Sequence, residues 1–206
     1  MKIPIDLVCD DCRKQQIVYT KLNDTSSDLI CECGNDLSFT FDFTMTTGIK
    51  LLLRCDFEIR EKKDYPLSIV FAAASMDCEL SRLFFKHRKV EGLQRIDDKT
   101  LEDELRKLGP MDKKIRKVTD LFYQGGITEF VKNNTEVKTH IEEQFPCLDI
   151  KNLPKSFQEK LFWPRNKILH SGKTNHDKDD AIKCFEIAQV GIYILREMDK
   201  EWRGNN

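Results

Sequence analysis

The stretch running Pro164, Arg165, Asn166, Lys167, Ile168, Leu169, His170, Ser171, Gly172 is where this chain has the residue types for chemistry. Arginine is a permanent, forked cation and asparagine an orientable amide, while histidine is the side chain that ordinarily titrates near neutral pH. Together they suit a phosphodiester handled without a metal. RNA carries its own nucleophile in the 2′-hydroxyl. Cleaving it requires moving a proton and stabilising the charge that gathers on the phosphorane, tasks that imidazole and guanidinium groups suit in general.

Spacing alone does not make this a site, because Arg82 and His87 repeat the interval. Context separates the two pairs. Asn166 lies four residues before His170, hence on the same helical face. Pro164 fits a first helical position and Gly172 a helix end. Around Arg82 and His87 the intervening residues include Leu83, Phe84 and Phe85, as in a core helix, so that pair reads as structural. Without further support, His170 also fits a histidine that complements a helix C-terminus. His176 fits the turn before the last helix, and His140 a surface position.

With 206 residues the chain suits one domain or two small ones. A net charge of −1 excludes a uniformly basic nucleic-acid coat, so any RNA contact must be local. Lys113, Lys114, Arg116 and Lys117 form the one basic run within residues 99–146; it reads as a solvent-facing helix side, with an RNA-backbone contact as the alternative. No stretch approaches the ~20 apolar residues of a membrane span, and Asp6 interrupts any secretory apolar core. A cytoplasmic location and no membrane partner are therefore expected, with thiols kept reduced.

Reduced thiols direct attention to metal for part of the eight-cysteine set. Cys9 and Cys12 form a C-x2-C; after 18 residues Cys31 and Cys33 form a C-x-C followed by Gly34. Four thiolates in paired knuckles hold a structural Zn2+ tetrahedrally, leaving no position for water or substrate. Gly34 suits the positive φ of the tighter second knuckle. Strands are expected at Ile17–Thr20 and, by alternation of Leu37, Phe39, Phe41 and Phe43, beyond the second knuckle. Residues 1–46 thus resemble a zinc ribbon that binds nucleic acid, docks a protein or caps the helical part of the chain. Cys55, Cys78, Cys147 and Cys184, on apolar stretches, read as small buried hydrophobes. No catalytic metal is expected.

From about Gly48 the apolar period changes from two to about 3.6. Helices are expected over Ile49–Lys62, from Pro66 to about Glu91, and as shorter pieces across 99–146 broken at Gly109-Pro110, Gly125-Gly126 and Pro146. The Lys- and Glu-rich middle reads as a solvated helical insertion. A last helix carries Ala181, Cys184, Phe185, Ala188, Ile192, Leu195, Met198 and Trp202 on one face. Its second row, Ile187, Val190 and Ile194, requires either a subunit or an insertion helix to cover it. The expected class is mainly α: a helical bundle over 47–206, preceded by a small β ribbon.

The run from Arg165 to Gly172 resembles the motif of HEPN (higher eukaryotes and prokaryotes nucleotide-binding) domains: an Arg, a polar residue, a short spacer, a His, a small residue and Gly. A second likeness is the Ala-rich helix Tyr65–Asp77, where the family usually has Glu and this chain has Asp77. The resemblance spans about 49–203, with 99–146 poorly matched. It implies an all-helical homodimer whose two motifs share a cleft, and a metal-independent endoribonuclease of toxin, antiviral-defence or abortive-infection type, with a protein regulator or antitoxin as a further partner. Arg165, Asn166, His170 and Asp77 become its catalytic set. Dimerisation has a chemical reason: one histidine offers a base or an acid, and two facing motifs offer both. Other members keep the fold without activity, so the competing expectation is a non-catalytic dimerisation module whose ribbon binds protein or nucleic acid. Redox chemistry at Cys9 and Cys12 is the weaker third, since the other cysteine pair already accounts for them.

Overall fold

The structure, a computed structural model, describes residues 2–8, 12, 15–21, 33–34, 46–91 and 97–204. An antiparallel hairpin begins the chain: β1 (Lys2–Val8) pairs with β2 (Gln15–Lys21), with Val8 opposite Gln15 and Lys2 opposite Lys21. The expected strand at 17–20 lies within β2. β1 is not among the expected strands, although Ile3, Ile5 and Leu7 alternate with Lys2, Pro4 and Asp6. Pro4 is tolerated because β1, among the described residues, pairs on one side only and is an edge strand. The expected strand at 37–43 lies outside the described residues.

Helices make up most of the described chain. α1 (Thr47–Phe57) starts at Thr46, whose hydroxyl accepts the Ile49 N–H at 3.4 Å, and widens into a π-turn at Glu58–Lys62. Lys63, with φ 58°, closes it in the left-handed region. α2 (Tyr65–Glu91) and α9 (Lys178–Gly204) are the two long helices, and they pack against each other and against α1. Gly191 lets α9 approach α2, since a Cβ there would meet Met76 Sδ at 2.7 Å, and Ile69, Ala72, Ala73, Leu80, Ala188, Ile192 and Leu195 are buried in the same core.

Between the long helices run α3 (Asp98–Lys107), α4 (Met111–Asp120), α5 (Gly126–Asn133) and α6 (Thr135–Gln144). Asp97 and Asn134 cap α3 and α6 by accepting the N–H groups of Thr100 and Val137. The breaks at 109–110, 125–126 and 146 fall where the glycines and prolines indicate. This segment is not the solvated insertion expected of its composition. Leu101, Ile115, Val118, Ile127, Phe130, Val137 and Ile141 are all buried in the same core as α2 and α9. Its lysines and glutamates occupy outer faces, and a 3.6-residue stripe needs few apolar residues to bury one side. The second row of α9 is explained likewise: Ile187, Val190 and Ile194 are buried within the chain, and α5 packs on α9. No subunit is needed there.

The approach to the Arg–Asn–His stretch also differs from expectation. α7 (Leu153–Phe157), a second π-turn (Gln158–Phe162) and α8 (Trp163–Ser171) run on without a break. Pro164 therefore sits just beyond a widened turn inside a helical run, not at a fresh helix start. Phe162 ahead of it already has helical φ −81° and ψ −32°. Among the described residues no helix is long and apolar enough to cross a membrane.

Candidate functional site

α8 lies on the surface and buries none of its residues. Arg165 is half-buried, and its Nη1 donates to the side-chain Oδ1 of its neighbour Asn166 at 3.0 Å. One guanidinium N–H is used in this way, and a forked cation has four more. Four residues on from Asn166, His170 is exposed in the last turn, with no hydrogen bond or ion pair to any described residue. Gly172 then ends the helix at φ 61°, its N–H accepted by the Ile168 carbonyl at 3.2 Å. Neither the guanidinium nor the imidazole is sealed in the bundle. Both can be reached from solvent along one short helix.

Asp77 stands apart from this set. It lies on α2, which packs against both α8 and α4, and its Oδ1 accepts from Lys114 Nζ of α4 at 2.5 Å. No ion pair joins Asp77 to Arg165 among the described residues. Lys114 is thereby drawn out of the basic run as a structural partner. Arg116 Nη2 is bonded to Asn152 Oδ1 at 2.5 Å, while Lys113 and Lys117 are exposed. α8 also presents Trp163 and Leu169, each 51% exposed, an unusual amount of apolar surface for so short an element.

The competing pair is structural in its surroundings. His87 is 3% exposed, with its ring 5.2 Å from that of Phe122 and 5.6 Å from that of Trp202. Arg82 donates through Nε to Glu79 Oε2 at 2.8 Å and reaches Asp199 Oδ2 at 3.5 Å. His140 is exposed and packs edge-on to Tyr193, and His176 Nδ1 lies 3.2 Å from Asp180 Oδ2.

Arg82 leads into a charged network that sequence patterning does not disclose. Glu79, fully buried on α2, accepts from the Thr46 hydroxyl and faces Arg196 Nη2 of α9 at 3.6 Å. Arg196 Nη2 also donates to Thr46 Oγ1 at 3.1 Å. A turn further along α9, Asp199 accepts from Lys86 and from Arg203, each at 2.5 Å. Burial would push the Asp199 carboxyl up, but the bonds from Arg203 and Lys86 outweigh it and hold it below its ordinary range. Burial pushes the Lys86 ammonium down, against the pull of Asp199. The available sequence signal is the spacing of Arg82, Lys86, Arg196, Asp199 and Arg203 on otherwise apolar helices, which reads equally well as solvent-facing.

Of the expected zinc ligands, Cys9 and Cys31 lie outside the described residues. Cys12 is half-buried and Cys33 exposed, and Gly34 has φ 92°, the left-handed conformation expected of it. The pairing of Val8 with Gln15 places Cys12 in the hairpin connection, and Cys9 precedes it there in sequence. The remaining cysteines divide. Cys55 and Cys184 are buried, and burial pushes both thiols up, Cys184 to about 12. Cys78 is half-buried and Cys147 exposed, so the small-hydrophobe reading does not hold for Cys147, which follows the helix-ending Pro146 into a loop.

Comparison with protein-family models, with curated proteins and with solved structures returned no match.

Proposed function

We propose that this chain is a metal-independent endoribonuclease of HEPN type, acting as a homodimer in which Arg165, Asn166 and His170 of two subunits share one cleft. The observation that carries this reading is the side-chain bond from Arg165 to Asn166 on the same surface helix as His170, which is exposed and has no hydrogen bond or ion pair to any described residue. The amide fixes the azimuth of the guanidinium, and the remaining N–H groups are left for two phosphate oxygens. His170 takes the proton of the RNA 2′-hydroxyl as that oxygen attacks phosphorus. The second subunit's imidazole protonates the departing 5′-oxygen. Arg165 stabilises the phosphorane more than the ground state because the added charge gathers within its reach. Toxin and antiviral-defence roles, a protein regulator or antitoxin as partner, and a cytoplasmic setting belong to the same proposal.

Cys9, Cys12, Cys31 and Cys33 would hold a structural Zn2+, which supplies a cross-link and no chemistry. The hairpin flanking the first cysteine pair and the left-handed Gly34 beside the second support that assignment. Exposed Trp163 and Leu169 favour a second reading, in which α8 is the core of a non-catalytic interaction face.

Purified protein incubated with labelled RNA in EDTA, beside His170→Ala, decides between them. The ribonuclease leaves 2′,3′-cyclic phosphate and 5′-hydroxyl ends, spares DNA and loses ~100-fold or more in rate in the variant. Equal cleavage by both proteins removes His170 from the mechanism. Absence of cleavage by either, with a stable dimer, leaves the interaction module.

A further inference from the structure

The helical run that carries Arg165, Asn166 and His170 has a defect at its base. Pro164 has no N–H, so the carbonyl of Lys160, four residues earlier, lacks its ordinary helical donor. The backbone widens at this point: the Trp163 N–H reaches back five residues to the Gln158 carbonyl, a π-turn. On the other side of that turn lies α9, and the thiol of Cys184 points at the Lys160 carbonyl, with Sγ 3.6 Å from the oxygen. Cys184 is 3% exposed. Its thiol is pushed up to about 12 by burial and by Asp180, so it keeps its proton, and with it the capacity to donate, throughout the neutral range. The contact ties α9 to the widened turn through a side-chain donor aimed at the very carbonyl that the proline leaves open.

We infer that Cys184 is a positioning residue for α8: its thiol takes the place of the N–H that Pro164 lacks, and this pins the widened turn that sets the direction of the Arg165–His170 helix. α8 has no fully buried residue and rests on the core through half-buried Ile168 and on α2, so what holds its base is one of the few supports of its pose. The consequence for RNA cleavage rests on the ribonuclease reading, but the positioning does not.

Hydrogen exchange of the backbone amides read by mass spectrometry tests it without reference to activity. Cys184→Ala speeds exchange across 160–172 by about three- to tenfold, the range of one lost hydrogen bond, while α2 and α4 stay as in the wild type. In a Pro164→Ala background the restored N–H donates to the Lys160 carbonyl, and the same cysteine change then has less than about twofold effect. Equal acceleration in both backgrounds would show that Cys184 only fills space, and uniform acceleration over the whole chain would show a general loss of stability; either result overturns the inference. If RNA is cleaved, Cys184→Ala lowers kcat with KM little changed and Pro164→Ala restores it. Exchange data that fit, in a protein that cuts no RNA, sink the ribonuclease and leave the positioning role standing.

Discussion

Lys114 Nζ lies 2.5 Å from Asp77 Oδ1, so the carboxylate of the Ala-rich helix is held by α4 and not by the arginine of α8. The contact is partly shielded, with 13% of the lysine side chain and 33% of the aspartate side chain exposed. A double-mutant cycle on Asp77→Asn and Lys114→Met, followed by urea denaturation, gives a coupling of about 0.5–1.5 kcal/mol. In the RNA assay Asp77→Asn slows cleavage by no more than about tenfold, well short of His170→Ala. A loss as large as that of His170→Ala would place Asp77 in the chemistry.

Glu79 and Arg196 carry more of the stability. Both side chains are sealed, and removing Arg196 leaves the Glu79 carboxylate with Arg82 as its remaining charged partner. Arg196→Met costs about 1–3 kcal/mol, the range for a buried polar group that loses one bond, seen as a lower urea midpoint at unchanged slope. Replacing both, as Glu79→Leu with Arg196→Met, costs less than the sum of the single changes.

Gly48 is pressed onto the same network. A Cβ there would lie 2.6 Å from Glu79 Cγ and 2.7 Å from the backbone oxygen of Ser75. The backbone of α2 cannot step aside as a flexible side-chain end can. Gly48→Ala therefore destabilises by about 1–3 kcal/mol, although alanine is the better helix former. A rise in the thermal midpoint would contradict the packing of α1 on α2.

Asp199 gives the acid limb of stability its shape. Its carboxyl is held below the ordinary range, outweighing burial, by the bonds from Arg203 and Lys86. A carboxyl whose folded pKa is depressed contributes stability that is complete above the unfolded value of ~3.9 and is lost as pH falls through the folded value. Urea midpoints taken from pH 5 to pH 2.5 fall less steeply in Asp199→Asn than in the wild type. Parallel curves would mean that Asp199 is not part of the linkage.

The metal proposal separates from the catalytic one in a single preparation. Elemental analysis finds one zinc per chain, and Cys33→Ser lowers that stoichiometry. Stripping zinc with a strong chelator leaves RNA cleavage by Arg165 and His170 in place, because four thiolates offer no open position to substrate. Loss of cleavage on stripping, restored by Zn2+, would give the ion more than a structural part.

Periodicity and punctuation make much of the helical architecture legible. The 3.6-residue rhythm of α9, Pro66 near the start of α2, and the breaks at 109–110 and 125–126 each arise from local chemistry that a neighbour cannot override. Gly34 and Gly172 take the left-handed conformations their positions demand. The placement of Asn166 and His170 on one face of a surface helix is legible for the same reason, since a four-residue spacing along a helix puts two side chains on one side. β1 escapes a reading of the sequence because Pro4 and Asp6 mask a short alternation. The middle helices differ from expectation because composition counts residues, whereas burial depends on which face they occupy.

What the linear order determined by itself was the helical class, most of the helix ends though not the start of α8, and the Arg–Asn–His grouping, all set by interactions within a few residues. Only the folded arrangement decided that Asp77 belongs to Lys114, that Glu79 meets Arg196 across two helices, and that a thiol 20 residues beyond Pro164 lies against the carbonyl the proline leaves without its usual donor. Those partners come from separate helices. Charge pairing and hydrogen bonding act over a few ångströms of space, and distance along the chain carries no information about which groups packing will bring together.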